Sequence, residues 1–328
     1  MPQASVLRVQ HHGAALQGNP LGDPVDRDVF VYLPPGREEK DCAGLPLILL
    51  LPGFAGRGRG MLGDNLYSPS IDDRMTALIE GGCPPVVLAL ADCSTKLGGS
   101  QYINSKGVGQ YQDYLVKDLV PLLKDRLGTG LTGVAGKSSG GYGALRLGME
   151  ASDVFSAVAC HSGDCYFEYG YLPDIPKAAA AIARAGSVAE FLSEFHRKEK
   201  KSSEQIITLS MLAMSACYSP RADGNGFELP FDESNGAYRP EVFARWLDHD
   251  PYMMVRQFAL ALKSLKLLFL DVGCRDEFHL QLGARLLRDR LLELGVGVTY
   301  EEFDDGHFST AYRYGTSLPL LARALSSP

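Results

Sequence analysis

Gly136-Lys137-Ser138-Ser139-Gly140 spells G-x-S-x-G, the pattern that places a nucleophilic serine on a sharp turn. Such a turn forces the serine into a strained backbone conformation, and the flanking glycines leave the room it needs. The motif counts only in context. Here an apolar segment (132–135) precedes it and a helical pattern (141–149) follows, giving strand, turn and helix in order. Ser138 would then stand at the C-terminal edge of a sheet, with a helix N-terminus aimed at any oxyanion formed beside it. The plainer reading, a helix start with Ser139 as cap, is set aside on that context.

Two nucleotide-binding readings compete for the same glycines. A P-loop ending in Gly136-Lys137-Ser138 needs glycine at position 131, where the chain has Leu131. Gly58-Arg59-Gly60-Met61-Leu62-Gly63 fits G-x-G-x-x-G, but its first glycine lies too far past Leu51, and Asp92 comes too late to hold a ribose.

A neutral serine needs a base, usually a histidine held by a carboxylate, and in strand-turn-helix enzymes these follow in the order nucleophile, acid, histidine. His307 sits in Asp304-Asp305-Gly306-His307-Phe308, just past the last strand pattern, where a glycine lets a tight loop bring the ring over the sheet edge. His161, also at a strand end, is better placed to line a pocket. His196 lies on a charged helix, His249 at a hinge and His279 at a helix start. Asp276 is the favoured acid, with Asp271, Glu277, Asp304 and Asp305 as rivals. The oxyanion would be met by the amides of Ser139 and Phe54, the latter in Leu51-Pro52-Gly53-Phe54-Ala55-Gly56. A plain turn with a packed phenylalanine accounts for that loop equally well.

Positioning such groups requires a sheet. Strand patterns occur at 28–33, 45–51, 85–91, 132–135, 155–160, 265–270 and 297–303. Helical patterns occur at 70–80, 111–127, 141–149 and 280–294, and Pro121 should kink the second. The alternation implies an α/β fold with a mostly parallel sheet covered on both faces. Residues 163–249 break the rhythm with patterns at 177–185, 189–201 and 206–216, read as a mainly helical cap inserted into a core of 1–162 and 250–328.

The 328 residues are 45% hydrophobic and 22% charged, as expected of a globular protein that needs no disulfide staples. A net charge of −7 argues against a nucleic-acid partner. Seven scattered cysteines without a CxxC pair read as reduced thiols. Neither a secretory signal nor a membrane span is visible, so a cytoplasmic location is the default expectation.

With these pieces in order, the chain resembles an esterase family of α/β-hydrolases. That family includes S-formylglutathione hydrolase, feruloyl and acetyl-xylan esterases, enterochelin esterases and mycolyltransferases. The resemblance rests on VYLPPG (31–36), LLPGFAG (50–56), YLVKDLVPLLKDRL (114–127), AGKSSGGYGAL (135–145), DVGCRDEF (271–278) and DDGHF (304–308). It implies Ser138 as nucleophile, Asp276 as acid, His307 as base, and Phe54 and Ser139 as oxyanion donors, with no metal or organic cofactor. The expected substrate is a small-molecule ester, cleaved through an acyl-enzyme. The alternatives are an acyltransferase of the same fold and a non-catalytic binding protein. The chain departs from the family at Ser139, where an apolar residue is frequent, at Lys137, and throughout the cap. His161, Tyr102 and Tyr111 are expected to line the pocket, and Tyr166, Phe167, Tyr169 and Tyr171 lie near its expected mouth.

Overall fold

The computed structural model describes residues 4–63 and 66–327. Its centre is an eight-stranded sheet: β1 (Ser5–His12), β2 (Asp26–Leu33), β3 (Leu47–Leu51), β4 (Val87–Leu90), β5 (Thr132–Lys137), β6 (Phe155–His161), β7 (Leu267–Gly273) and β8 (Thr299–Phe303). In space the order is β1-β2-β4-β3-β5-β6-β7-β8. All pairs from β4 to β8 are parallel, while β2 runs antiparallel to both β1 and β4.

Burial on both faces explains the unbroken apolar runs. In β3, Leu47, Leu49 and Leu51 enter one core cluster while Ile48 and Leu50 enter the other. Every one of these side chains is inaccessible to solvent. The helices α1 (Ile71–Glu80), α2 (Val120–Leu127), α3 (Ser139–Glu150), α4 (Ile175–Ala185), α5 (Val188–Arg197), α6 (Ser203–Tyr218), α7 (Pro240–Leu247), α8 (Leu280–Glu293) and α9 (Tyr314–Ser326) complete the main elements. The segment between β6 and β7 carries α4 to α7, and α4 packs against α5 and α6. Among the described residues no helix is long and apolar enough to cross a membrane.

The helical pattern at 111–127 is not one uniform helix. Tyr114–Leu119 is wound as a π-helix directly before α2, whose second residue is Pro121. Proline has no N–H to offer the preceding turn, so the ladder widens there. The edge strand β1 carries no apolar run to mark it, because SVLRVQHH is mostly polar and its side chains are largely half-buried or exposed.

Register brings the chemistry together. Leu51 pairs with Gly136, Lys137 with His161, His161 with Asp271, and Gly273 with Phe303. The C-terminal ends of β3, β5, β6, β7 and β8 therefore share one edge, and their loops carry Phe54, Ser138, Asp164, Asp276 and His307.

Candidate active site

Ser138 stands between β5 and α3 with φ 59° and ψ −126°, a conformation that L-residues rarely adopt. The elbow is held by the Ser138 N–H donating to the His161 carbonyl at 2.9 Å and the Tyr142 N–H donating to the Ser138 carbonyl at 2.9 Å. A Cβ on Gly140 would lie 1.9 Å from the Leu51 carbonyl oxygen, and one on Gly136 would lie 2.2 Å from that of Gly140. The glycines are thus required by backbone packed directly on backbone.

The His307 Nε2 lies 3.0 Å from Ser138 Oγ, and its Nδ1 lies 2.7 Å from Asp276 Oδ2. His307 and Asp276 are 3% and 2% exposed, so solvent barely competes for these bonds. The Phe278 N–H donates to Asp276 Oδ1 at 2.9 Å, fixing the carboxylate in its loop. The rings of Phe278 and Phe308 stand nearly perpendicular to the imidazole at 4.8 and 5.5 Å between centroids. A hydroxyl bonded to an imidazole whose other nitrogen meets a carboxylate can lose its proton as it attacks an electrophile.

Glu277, a rival for the acid, turns to the backbone of His307 and not to its ring. Its Oε2 accepts the backbone N–H of His307 at 2.6 Å. A Cβ on Gly306 would lie 2.7 Å from the same carboxylate, so the glycine makes room for Glu277 and has no left-handed φ. The signal in the sequence was a second carboxylate directly beside Asp276. Of the other acid candidates, Asp304 pairs with Arg275 and Asp305 accepts the Gly306 N–H.

Phe54 begins the turn after β3. Its ring lies over Gly98, where a Cβ would come 2.6 Å from the ring, so that glycine (φ +108°) opens its seat. The N–H groups of Phe54 and Ser139 have no partner among the described residues. Lys137, half-buried before Ser138, has its pKa lowered by burial, against the opposing pull of Asp276 and Glu277.

Three expected pocket residues lie elsewhere. None of them lines either cavity that reaches Ser138. His161 is 3% exposed and bonds Asp271 Oδ1 at 2.7 Å and Ser317 Oγ at 2.8 Å behind the elbow. Tyr102 packs its ring on Gly143 and donates its hydroxyl to the Pro52 carbonyl, bracing the β3 turn against α3. Tyr111 is buried against Arg27 and Asp23. Each ring is consumed by packing: its polar tip is spent on a buried partner. Of the mouth aromatics, Phe167 and Tyr171 line a narrow inner cavity of about 120 Å³, and Tyr169 lines an outer groove of about 700 Å³. Both spaces meet at Ser138 and Phe54, and the outer one also reaches His307.

The model of the Esterase family matches residues 24–313. The chain belongs to this family. As a member of that family it is an enzyme acting on ester bonds. No curated protein matches it in sequence. Among solved structures it is similar to a ferulic acid esterase (17% identity, TM-score 0.60, covering 99% of this chain and 100% of that one). It is likewise similar to an S-formylglutathione hydrolase of Staphylococcus aureus (14%, TM-score 0.58, 99% and 100%). A third is an enterobactin esterase of Shigella flexneri (16%, TM-score 0.53, 99% and 59%). At these identities the likeness is one of α/β-hydrolase fold.

Proposed function

We propose that this esterase cleaves a small-molecule carboxylic ester by two acyl transfers centred on Ser138. The observation that carries the reading is the continuous chain from Ser138 Oγ to His307 Nε2 at 3.0 Å and from His307 Nδ1 to Asp276 at 2.7 Å, opening on a cavity. Ser138 Oγ attacks the carbonyl carbon while His307 takes its proton, and Asp276 stabilises the imidazolium. The negative charge gathers on the carbonyl oxygen, where the amides of Phe54 and Ser139 donate to it. As that oxyanion collapses, the bond to the leaving oxygen breaks and His307 protonates the alcohol. Water then attacks the acyl-enzyme, giving its proton to His307, and the carboxylic acid departs as Ser138 recovers a proton. Each proton and electron pair in this sequence is carried by these side chains, the ester and water.

A fluorophosphonate probe tests the assignment. It should label Ser138 stoichiometrically, and Ser138→Ala should lose both label and turnover of p-nitrophenyl acetate. Mass mapping that places the label on Ser139 would overturn it.

A further inference from the structure

The inner cavity holds a carboxyl that the triad does not use. Among walls formed by Phe167, Ile207, Met211, Met214 and Leu280 stands the carboxyl of Asp164, in the loop after β6. Its Oδ2 accepts from Gln101 Nε2 at 3.2 Å and from the Tyr171 hydroxyl at 3.0 Å. Gln101 is fully buried at φ 52° and also meets the Tyr218 hydroxyl at 2.9 Å, so this donor is fixed in place. Asp164 Oδ1, by contrast, accepts nothing from the described residues, yet it is not among the atoms sealed from solvent. The residue is half-buried and lines the cavity. Burial raises the carboxyl's pKa, while Gln101 and Tyr171 oppose that shift.

A bracing role accounts for one oxygen only. The other has no donor, on a residue that lines a largely apolar cavity, and is costly to desolvate unless the occupant brings one. The occupant can be assigned by where protons must go. The leaving oxygen has to reach His307, and His307 lines the outer groove but not the inner cavity. The alcohol half therefore lies outward and the acyl half inward.

We propose that Asp164 is a specificity-determining residue that selects acyl groups bearing a hydroxyl remote from the scissile carbonyl, which donates to Asp164 Oδ1. This rests on the reading of Ser138 as the esterase nucleophile. A hydroxyl suits the site better than an ammonium, because the second carboxylate on the wall, Asp174, is already paired with Lys177, and the largely apolar remainder would strip a cation of water without further compensation.

The test uses p-nitrophenyl esters of increasing acyl length in matched sets, with the penultimate carbon carrying hydroxyl, oxo or methyl. For the wild-type enzyme, the hydroxyl ester should exceed the other two by about tenfold or more in kcat/KM at one chain length, the effect of a hydrogen bond to a charged acceptor. In Asp164→Asn the amide oxygen stays with Gln101 and Tyr171, so the NH₂ faces the cavity and the oxo ester should overtake the methyl one. These ratios are internal to each variant and do not depend on how much of it folds. Equal rates for hydroxyl and methyl esters at every length in the wild type overturn the proposal, as do wild-type ratios retained in Asp164→Asn. Good turnover with flat ratios leaves the esterase reading standing, whereas no turnover of any ester sinks both.

Discussion

Replacing Asp276 by asparagine should trap His307 in the wrong tautomer. In the wild type, Asp276 Oδ1 accepts the Phe278 N–H at 2.9 Å while Oδ2 faces His307 Nδ1 at 2.7 Å. Asparagine has one acceptor oxygen, and the Phe278 amide claims it. The NH₂ then points at Nδ1, which must become an acceptor, so the ring proton moves to Nε2 and can no longer leave room for the proton of Ser138. Turning the amide over restores the tautomer but sets donor against donor in a site that is 2% exposed. An unsatisfied buried group costs about 1–3 kcal/mol, so roughly one molecule in ten to one in a hundred holds the productive arrangement. Losing the anion beside the forming imidazolium removes a charge-assisted bond of about 3 kcal/mol, a further factor of about a hundred. The expected loss in kcat is therefore about 10³ to 10⁴. Steady-state kinetics with p-nitrophenyl acetate, alongside calorimetry to show a folded variant, measures it. A folded Asp276→Asn enzyme within tenfold of wild-type kcat would refute both the tautomer argument and the choice of acid.

Glu277→Ala should lower kcat about tenfold or more by freeing the His307 amide, while Glu277→Gln keeps an acceptor and loses less; equal rates for the two would refute that role. Asp271→Asn breaks a buried contact to His161 and Arg313 and should cost about 3–5 kcal/mol of stability, read from urea unfolding, with activity per folded molecule unchanged. Gly140→Ala puts a methyl 1.9 Å from the Leu51 carbonyl and should yield little folded protein; a soluble, active variant would contradict the packing of the elbow. Burial and Arg146 lower the pKa of His249 from 6.5 to about 4, so its stabilising contribution is present above pH 6.5 and lost as pH falls toward 4. The stability of His249→Gln relative to wild type should then rise by up to about 3 kcal/mol between neutral and acid pH, and an unchanged difference in urea unfolding would count against it.

Groups positioned by backbone were legible in the sequence, and groups positioned by side-chain competition were not. Ser138 could be read because strand, glycines and helix are all local in the chain, and backbone sterics leave one place for such a serine. The buried strands were equally plain, since apolar residues on consecutive positions fit only a sheet covered twice. The contact of Glu277 is not legible in the sequence, because whether its carboxylate turns toward His307 depends on a loop thirty residues downstream. Asp164 carried no periodic signal at all. Its setting comes from Gln101 and Tyr171, one of them 63 residues away and the other on a different element.

His161 shows why residue type and spacing do not suffice for a site. It meets Asp271 through Nδ1 at 2.7 Å and Ser317 through Nε2 at 2.8 Å, nearly the distances found at His307. The same three residue types therefore occur twice, with both histidines and both aspartates at or just beyond the ends of strands β6 to β8. What separates them is surroundings. Ser317 is wholly inaccessible within α9, and the His161 ring is closed in by Phe269 and Tyr314. Ser138 instead sits in strained backbone on a turn that opens on two cavities. Arg313 adds a second ligand to Asp271, so that carboxylate serves to tie the chain after His307 onto β7. The His161 set braces α9 and the chain before it against β7, whereas the Ser138 set can meet an ester because its serine opens on the two cavities.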